Sequence, residues 1–485
     1  MLVDNGVEGD SRVQKQARSM AAAGWRVTLV GFRTRSSRRT SWTIGDAEVR
    51  LVTVPSPMFQ HVARLRRSWR RPFAYPPGQL GAYRAQLVRA RKAELATWAG
   101  RGRPRWTLLP GRIVLKAAGL WVRFRQHESD RLDAARNDPN APLTRLAIRF
   151  WTVTRGPRSW RRLDPALWDF ELALGPVVDK LRPDVIHAND YRMIGVGARA
   201  KLRAAAAGRT VMLVWDAHEL VTGIAPRDGN PRWLPAQAAH EREYVPYADA
   251  AITVSPQLAD QLATRHRLPE PPTVVMNAPD LSTPADAPDL RERCGIDATT
   301  PLLAYSGGIA PRRGLDVVVA ALVELPGVHL AMVSLHPSGV RVDADRVERQ
   351  AAELGVADRV HVLPYVAHDQ VVPHLAGADA AVSPLTHTPN HEVALTNKFF
   401  EYAHARLPQI VSDVRASEEM IRSTGIGEVF RAGDVADFVR AARAVLADPA
   451  RYQAGYDRPG LLDQWTWARQ AAVLDGIYAR LTARR

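Results

Sequence analysis

The sequence predicts an α/β protein of two doubly wound domains facing a cleft, with a basic helical insertion in the first. Three observations predict it. Short, nearly continuous apolar runs alternate with longer stretches of helical period, the pattern of parallel strands covered on both faces. The alternation forms two series on either side of a Pro-rich, acidic stretch at 277–288, the linker candidate. The excess positive charge sits in one place. The 485 residues hold 66 Lys+Arg and 50 Asp+Glu, a net of +16. Residues 61–162 alone hold 24 Lys+Arg and five acids, a net of +19, so the remainder sums to −3.

In chain order, strands are expected at 25–31, 49–54, 184–188, 210–215 and 250–255. After the linker they are expected at 301–306, 329–333, 360–363, 378–383 and 409–412, with helices between, for example at 11–23, 314–324 and 397–405. A first strand should precede the turn Asn5–Asp10, yet only Met1 to Val3 are there to form it. Strands average about five to six residues. A start upstream of Met1 is the favoured explanation, and a very short strand is the other. The domains are read as 1–278, carrying the insertion at 61–165, and 289–455. A last amphipathic helix within 456–485, bearing Trp465 and Trp467, is expected to pack back across the boundary.

Composition excludes several classes. With 46% hydrophobic and 24% charged residues the chain is globular rather than disordered. One cysteine, Cys294, rules out a disulfide framework and fits a reducing compartment. No run of about 18 apolar residues occurs to span a bilayer. The first residues lack the basic and apolar blocks of a signal peptide, so the expected location is the cytoplasm.

Four motifs can carry chemistry. In Asn5 through Val13, Gly6 and Gly9 permit a tight turn and Asp10 or Ser11 can cap the next helix, whose N-terminus attracts anions. This is not a GxGxxG fingerprint, so a nicotinamide cofactor is not supported. His187 and His218 each follow an apolar run, where the carboxyl ends of parallel strands line a ligand crevice. A histidine there can donate to a sugar hydroxyl or act as acid or base; the alternative is a histidine satisfying a loop carbonyl. No third ligand at characteristic spacing makes the pair a metal site.

After the linker, Gly307 and Gly308 let a ligand approach the backbone, and Arg312 and Arg313 offer forked donors suited to a diphosphate, unless they form only a basic turn. Farther on, Thr396 is a plausible N-cap that puts Asn397 and Lys398 in a first helical turn and Glu401 on the same face. Lys398 and the amides can hold phosphate, and Glu401 can accept both hydroxyls of a ribose; the alternative is a capped surface helix. Asp343-Ala344-Asp345 begins a helical stretch and reads as capping rather than as a metal-binding DxD.

In order along the chain, these pieces resemble glycosyltransferase family 4, proteins of the GT-B fold with two Rossmann-like domains. The similar stretches are Asp10 to Val13, Pro183 to His187, Asp216 to Leu220, Ala248 to Ser255, Gly308 to Gly314, and Asn397 to Tyr402 with Leu407-Pro408. The resemblance implies transfer of a sugar from a nucleotide-sugar donor with retention of configuration, without an essential metal or other cofactor. It places the donor mainly on the C-terminal domain and the acceptor mainly on the N-terminal one. Glu401 matches the second glutamate of the family's Glu-x7-Glu motif, Arg313 its diphosphate cation, and His218 a histidine directed at the donor sugar. These three are the expected catalytic residues. Gly307, Gly308, Arg312, Asn397, Lys398 and Glu392 are expected on the donor side, and Gly9, Arg12 and His187 on the acceptor or sugar side.

Three positions depart from the family pattern. Eight residues before Glu401 stands Val393, and Glu392 serves only if the loop shifts by one. Gly307-Gly308 replaces a Gly–Arg pair, so Arg312 is expected to substitute. Arg406 stands where a glycine usually ends the helix, at a cost of up to ~1 kcal/mol if a left-handed conformation is needed.

The insertion mixes apolar, aromatic and basic residues over 108–125 as an interfacial helix does, and holds six of the 13 tryptophans. It is expected to meet an anionic membrane surface, where a glycan or lipid-linked cell-envelope acceptor would be found. Nucleic acid is the competing partner, disfavoured because no recognised module appears, and a solvated helical elaboration is the third reading. For the whole chain, the alternatives are a non-catalytic sugar-nucleotide-binding subunit or another activity on this fold, such as an epimerase or an inverting transferase.

Overall fold

A computed structural model describes residues 1–34, 37, 39–55, 71–76, 80–100, 104–138, 141–224, 230–281, 286–335 and 342–483. Trp69 and part of the expected linker lie outside them. The chain divides into two compact units: Met1–Thr53, Val178–Ile224 and Tyr244–Arg485 form one, Val54–Val177 and Ala225–Glu243 the other.

The first unit holds two sheets. In one, β1 (Thr28–Phe32) pairs in parallel with β3 (Ala47–Val52), and β2 (Ser41–Ile44) closes that edge antiparallel. β4 (Val185–Asn189), β5 (Met212–Ala217), β6 (Ala250–Thr253) and β7 (Thr273–Val274) run parallel in that order. Leu2 bridges Val30 on one side and Ala188 on the other, and so joins the two sets. The residues before the Asn5 turn thus supply one bridged residue between β1 and β4, with Leu2 and Val3 both buried.

The other sheet is wholly parallel: β8 (Leu302–Ser306), β9 (His329–Leu335), β10 (Val360–Pro364), β11 (Ala380–Ser383), β12 (Gln409–Ser412) and β13 (Gly427–Phe430), in the order β10-β9-β8-β11-β12-β13. That is the doubly wound order, and its direction reverses between β8 and β11, where the ligand crevice of such sheets opens. The two-domain α/β architecture expected from the sequence is the one observed. β2, β7 and β13 were not expected. β2 alternates half-buried and exposed residues, β7 has two residues, and β13 begins Gly-Glu, so none shows the apolar run of a central strand.

The final helix, Trp467–Ala483, packs Trp467, Leu474, Ile477 and Tyr478 into the core of the first sheet, beside Val13, Met20 and Leu29. Just before it, Trp465 packs edge-on to Phe399 and Phe400 in the core of the second. Each such side chain contributes roughly 1.5–3 kcal/mol by burial, so this crossing ties both sheets to the chain terminus.

The second unit is helical. Leu80–Gly100 packs along Arg105–Asn137, where Leu108, Leu115 and Val122 recur every seven residues on the buried side, a coiled-coil seam. The helix Trp233–Tyr244 belongs here too, because Trp160 Nε1 and Arg161 both bond Glu243 and Gln237 bonds Asp164. Among the described residues no helix is long and apolar enough to cross a membrane.

Candidate functional site

The carboxyl end of β8 is tied to that of β11 by one hydroxyl: the Ser306 N–H donates to Tyr402 Oη at 2.8 Å, and Tyr402 donates to the Val382 carbonyl at 3.4 Å. The chain then turns at Gly307, with φ +114°, where a Cβ would stand 3.2 Å from Lys398 Nζ. The 3-10 turn Pro311–Arg313 ends at Gly314, φ +67°, where a Cβ would fall 1.8 Å from the Pro384 carbonyl oxygen. No other residue fits there. Thr386 fixes the turn by donating its N–H and hydroxyl to the Arg312 carbonyl at 3.2 and 3.1 Å. Gly308 and Arg312 are exposed and Arg313 half-buried.

The helix Asn397–His404 places the next groups as its sequence spacing predicts. Thr396 takes the cap position, although its side chain makes no capping bond. Lys398 is buried with its ammonium 3.8 Å from the centre of the Tyr305 ring, and among the described residues it has no hydrogen-bond or ion-pair partner. Burial and then the nearby Arg313 hold its pKa well below the ordinary lysine range, against the pull of Glu401. Glu401 is raised by burial, with Lys15 and Lys398 opposing. Gly307, Arg313, Lys398 and Glu401 therefore form one electrostatic group: an under-compensated cation beneath a glycine turn, with a carboxylate one helical turn away.

Glu401 and Asn397 line a cavity of about 290 Å³ together with Ser11, Gln14 and Lys15 from the helix Ser11–Ala22. Lys15 was not singled out from sequence. Its ammonium donates to Asn277 Oδ1 at 2.9 Å and to the Ala278 carbonyl, and burial lowers its pKa to about 8 despite Glu401. A larger cavity of about 640 Å³ lies at the amino ends of β1 and β4, beside Met1, Arg26 and Asp184. The glycine turn and the Glu401 helix belong to the carboxyl side, where folds of this kind bind ligands, so the smaller cavity is the candidate site.

On the first sheet the centre is Asp216, fully buried at the end of β5. It accepts Nε and Nη2 of Arg12 at 3.0 and 2.9 Å and Nε2 of Gln16 at 2.6 Å. His218, just past β5, lies with Nε2 at 3.2 Å from Asp216, an ion-pair distance without hydrogen-bond geometry, and Nδ1 at 3.4 Å from Asp190. Burial opposes charge on His218, but Asp190 and Asp216 outweigh it and hold the imidazole well above the usual histidine range. Burial likewise opposes charge on Asp216, and Arg12 and His218 hold it well below the usual carboxylate range. Asp190 has φ +63°, a strained conformation that puts its carboxylate at the mouth of β4.

Four expected residues are placed differently from their sequence reading. His187 is the third residue of β4, not past its end; it is 1% exposed, with Nδ1 2.7 Å from Tyr478 Oη and Nε2 3.4 Å from Asp216. Burial lowers its pKa, so it is a neutral core histidine with no free edge for a sugar. Arg12 is 3% exposed, and its third bond goes to the Val275 carbonyl at 2.7 Å; its guanidinium is consumed by the fold and reaches a ligand only through Asp216. Gly9 serves the turn, at φ +85°, while Asp10 caps the helix by accepting from the Val13 N–H. Glu392 bonds His387 Nδ1 at 2.6 Å and the Arg415 N–H at 2.9 Å, so its carboxylate caps the helix Arg415–Thr424. The loop does not shift by one: Val393 is buried, and its carbonyl accepts the Ser255 hydroxyl. Arg406 does adopt φ +55°, the left-handed conformation its position called for.

Asn390 is a further residue that sequence reasoning missed. The Leu220 N–H donates to its Oδ1 at 2.8 Å, and a Cβ on Gly223 would fall 2.8 Å from its side chain. Loops after β5 and β6 thus meet the loop after β11, and the carboxyl ends of the two sheets face one another. Asp343 and Asp345 fall in the first turn of the helix Val342–Glu353. Among the described residues no group of three or more His, Cys, Asp and Glu is arranged to hold a metal ion.

Comparison with known proteins agrees with this fold. The family described as Glycosyl transferases group 1 matches residues 300–448, and Glycosyltransferase Family 4 matches residues 110–283. The chain is 30% identical over 275 residues to a D-inositol 3-phosphate glycosyltransferase of Mycolicibacterium gilvum, covering 53% of this chain and 61% of that one. It spans about 60% of the length of the curated relatives it matches. Among solved structures it is similar to sucrose-phosphate synthase from Thermosynechococcus elongatus, with a TM-score of 0.64 at 17% identity over 98% of this chain and 93% of that one. It is also similar to Anabaena Alr3699/HepE in complex with UDP-glucose, with a TM-score of 0.52 at 18% identity over 64% and 83%. At these identities the structural likeness speaks for the fold.

Proposed function

The chain is a glycosyltransferase family 4-like protein with the GT-B fold, and on that premise we propose that it is a retaining, metal-independent transferase that moves a sugar from a nucleotide sugar to a cell-envelope, polysaccharide or lipid-linked acceptor at the cytoplasmic face of the membrane. The observation that carries the reading is the buried ammonium of Lys398 beneath the Gly307 turn, which among the described residues has no hydrogen-bond or ion-pair partner, with Arg313 and Glu401 beside it. Such a cation is costly to bury unless an anion joins it, and a diphosphate is the anion that a glycine turn at a strand end accommodates.

In this reading the amides of Gly307 and Gly308, with Lys398, Arg312 and Arg313, hold the donor diphosphate, and Glu401 accepts the ribose hydroxyls. Cleaving the glycosyl–phosphate bond leaves positive charge on the sugar and negative charge on the diphosphate. Cations already in place stabilise that leaving group, the largest catalytic contribution expected here, and they supply charge that a metal supplies in other transferases. His218, charged by Asp190 and Asp216, donates a hydrogen bond to the sugar from the opposite sheet. Buried Val393 stands where a second carboxylate would be expected, so in this reading retention rests on attack from the face the diphosphate leaves rather than on a carboxylate pair of the hydrolase kind.

The donor is found by thermal shift against UDP-, GDP- and ADP-sugars. A stabilisation with one nucleotide sugar that disappears in Lys398→Met supports the reading, and no shift with any of them contradicts it. Val393 favours one second reading, a binding subunit without turnover: it would show the thermal shift but release no nucleoside diphosphate.

A further inference from the structure

We propose that the second unit docks on an anionic lipid bilayer through two helices whose apolar faces the fold leaves bare. In Pro142–Arg155, Leu143, Leu146, Phe150 and Val153 are 67, 64, 54 and 75% exposed. Their spacing of three and four residues puts them in one stripe. The side of that helix turned inward carries buried Thr144 instead. In Arg105–Asn137 the seam of Leu108, Leu115 and Val122 faces the protein, while Trp106, Leu109, Ile113, Leu120 and Phe124 form a second stripe, each at least 45% exposed. Arg112, Lys116 and Arg123, all exposed, run along its flank at the same helical spacing. The longer helix therefore has two apolar sides, one spent on packing and one facing out, while the shorter one turns its apolar stripe outward.

The charge around the stripes selects their occupant. Residues 61–162 net +19, so a second copy of the same unit would be repelled and an anionic surface attracted. Nucleic acid would meet the charge and could stack on the few aromatic rings, but most of both stripes is bare Leu, Ile and Val, which offer it neither hydrogen bonds nor stacking faces. A bilayer interface takes both components: apolar side chains below the headgroups, arginine and lysine among them, and tryptophan at the boundary. Trp121 and Phe124 stack at 5.6 Å with Phe73 against both, an exposed aromatic cluster at one end of the longer stripe. The proposal gives the membrane part of the functional reading its surface and rests on that reading only for the acceptor; vesicle binding and donor turnover are scored separately, so either can fail alone.

The test is flotation of the full chain with vesicles of phosphatidylcholine, with and without phosphatidylglycerol. Wild type is expected to bind the anionic vesicles roughly tenfold or more tightly than neutral ones, less so as salt rises. Leu146→Glu with Phe150→Glu, and separately Ile113→Glu with Leu120→Glu, should each lose about that factor while turning over soluble donor at the wild-type rate. A triple Arg112→Ala, Lys116→Ala, Arg123→Ala variant, which disturbs no packing, should lose the preference for anionic lipid. Equal binding to both vesicles, unchanged binding in all three variants, a wild-type dimer dissolved by the glutamate substitutions, or tighter binding to an oligonucleotide than to anionic vesicles would overturn the proposal.

Discussion

Arg12 holds Asp216 through both Nε and Nη2, at 3.0 and 2.9 Å, with at most 3% of either side chain exposed. This pair, out of reach of any ligand, fixes the charge on which His218 depends. Breaking it should therefore damage both the fold and the site. Arg12→Met leaves Asp216 with Gln16, His187 and His218 as its remaining partners, and loss of one member of a buried pair costs about 3–5 kcal/mol. A chemical denaturation series should show that loss; a change below about 1 kcal/mol would mean that the remaining partners suffice.

Asp190→Asn should change a pH profile. Asn tolerates the left-handed backbone at φ +63°, so the substitution removes a charge rather than a shape. Because the folded pKa of His218 is raised, its contribution to stability is complete below the ordinary histidine value and is lost as pH rises through the raised one. Removing one of its two carboxylates lowers that upper limit. The alkaline limbs of both stability and kcat/KM should move to lower pH, and a limb that stays in place would show that His218 does not report there.

Donor binding should take up protons. Lys15 sits at about 8 and is partly neutral near pH 8 in the free protein, and burial holds Lys398 well below its ordinary range. A diphosphate arriving beside them raises both values. Titration calorimetry at pH 8 in buffers of different ionisation enthalpy should register net uptake, smaller in Lys398→Met. Release, or no proton change, would place the diphosphate elsewhere.

Arg406→Gly should stabilise the protein by about 0.5–1 kcal/mol, since glycine adopts φ +55° without the Cβ penalty and the Asp457 pair it gives up is exposed. A fall in Tm would mean that this pair, or the stack of Arg406 on Tyr456, carries more than exposure suggests.

What the sequence shows and hides follows from where partners sit. The β8 strand, its glycine turn and the spacing of Lys398 and Glu401 are local, so apolar runs and helical period reveal them. His187 and His218 look alike in sequence because both follow an apolar run. They separate only because β4 runs on to Asn189 and carries His187 into the core, whereas β5 ends at Ala217 and leaves His218 at its mouth. Arg12 beside a glycine turn reads as an anion ligand until the distant Asp216 is folded against it. Lys15, Asp190 and Asn390 were invisible for the same reason: each acquires its role from a residue far away in the chain. Glu392 kept its charge but was turned to a helix end by His387 and Arg415.

In the proposed reaction Glu401 and Arg313 hold a nucleotide-sugar donor whose glycosyl–phosphate bond is broken. The most direct measurement is nucleoside diphosphate release, with the donor identified by thermal shift, for wild type, Glu401→Ala and Arg313→Ala. Release by wild type, with kcat/KM lower by at least roughly tenfold in each variant, about 1.4 kcal/mol of transition-state stabilisation, is the predicted result. No release by wild type, or wild-type turnover in both variants, would contradict it.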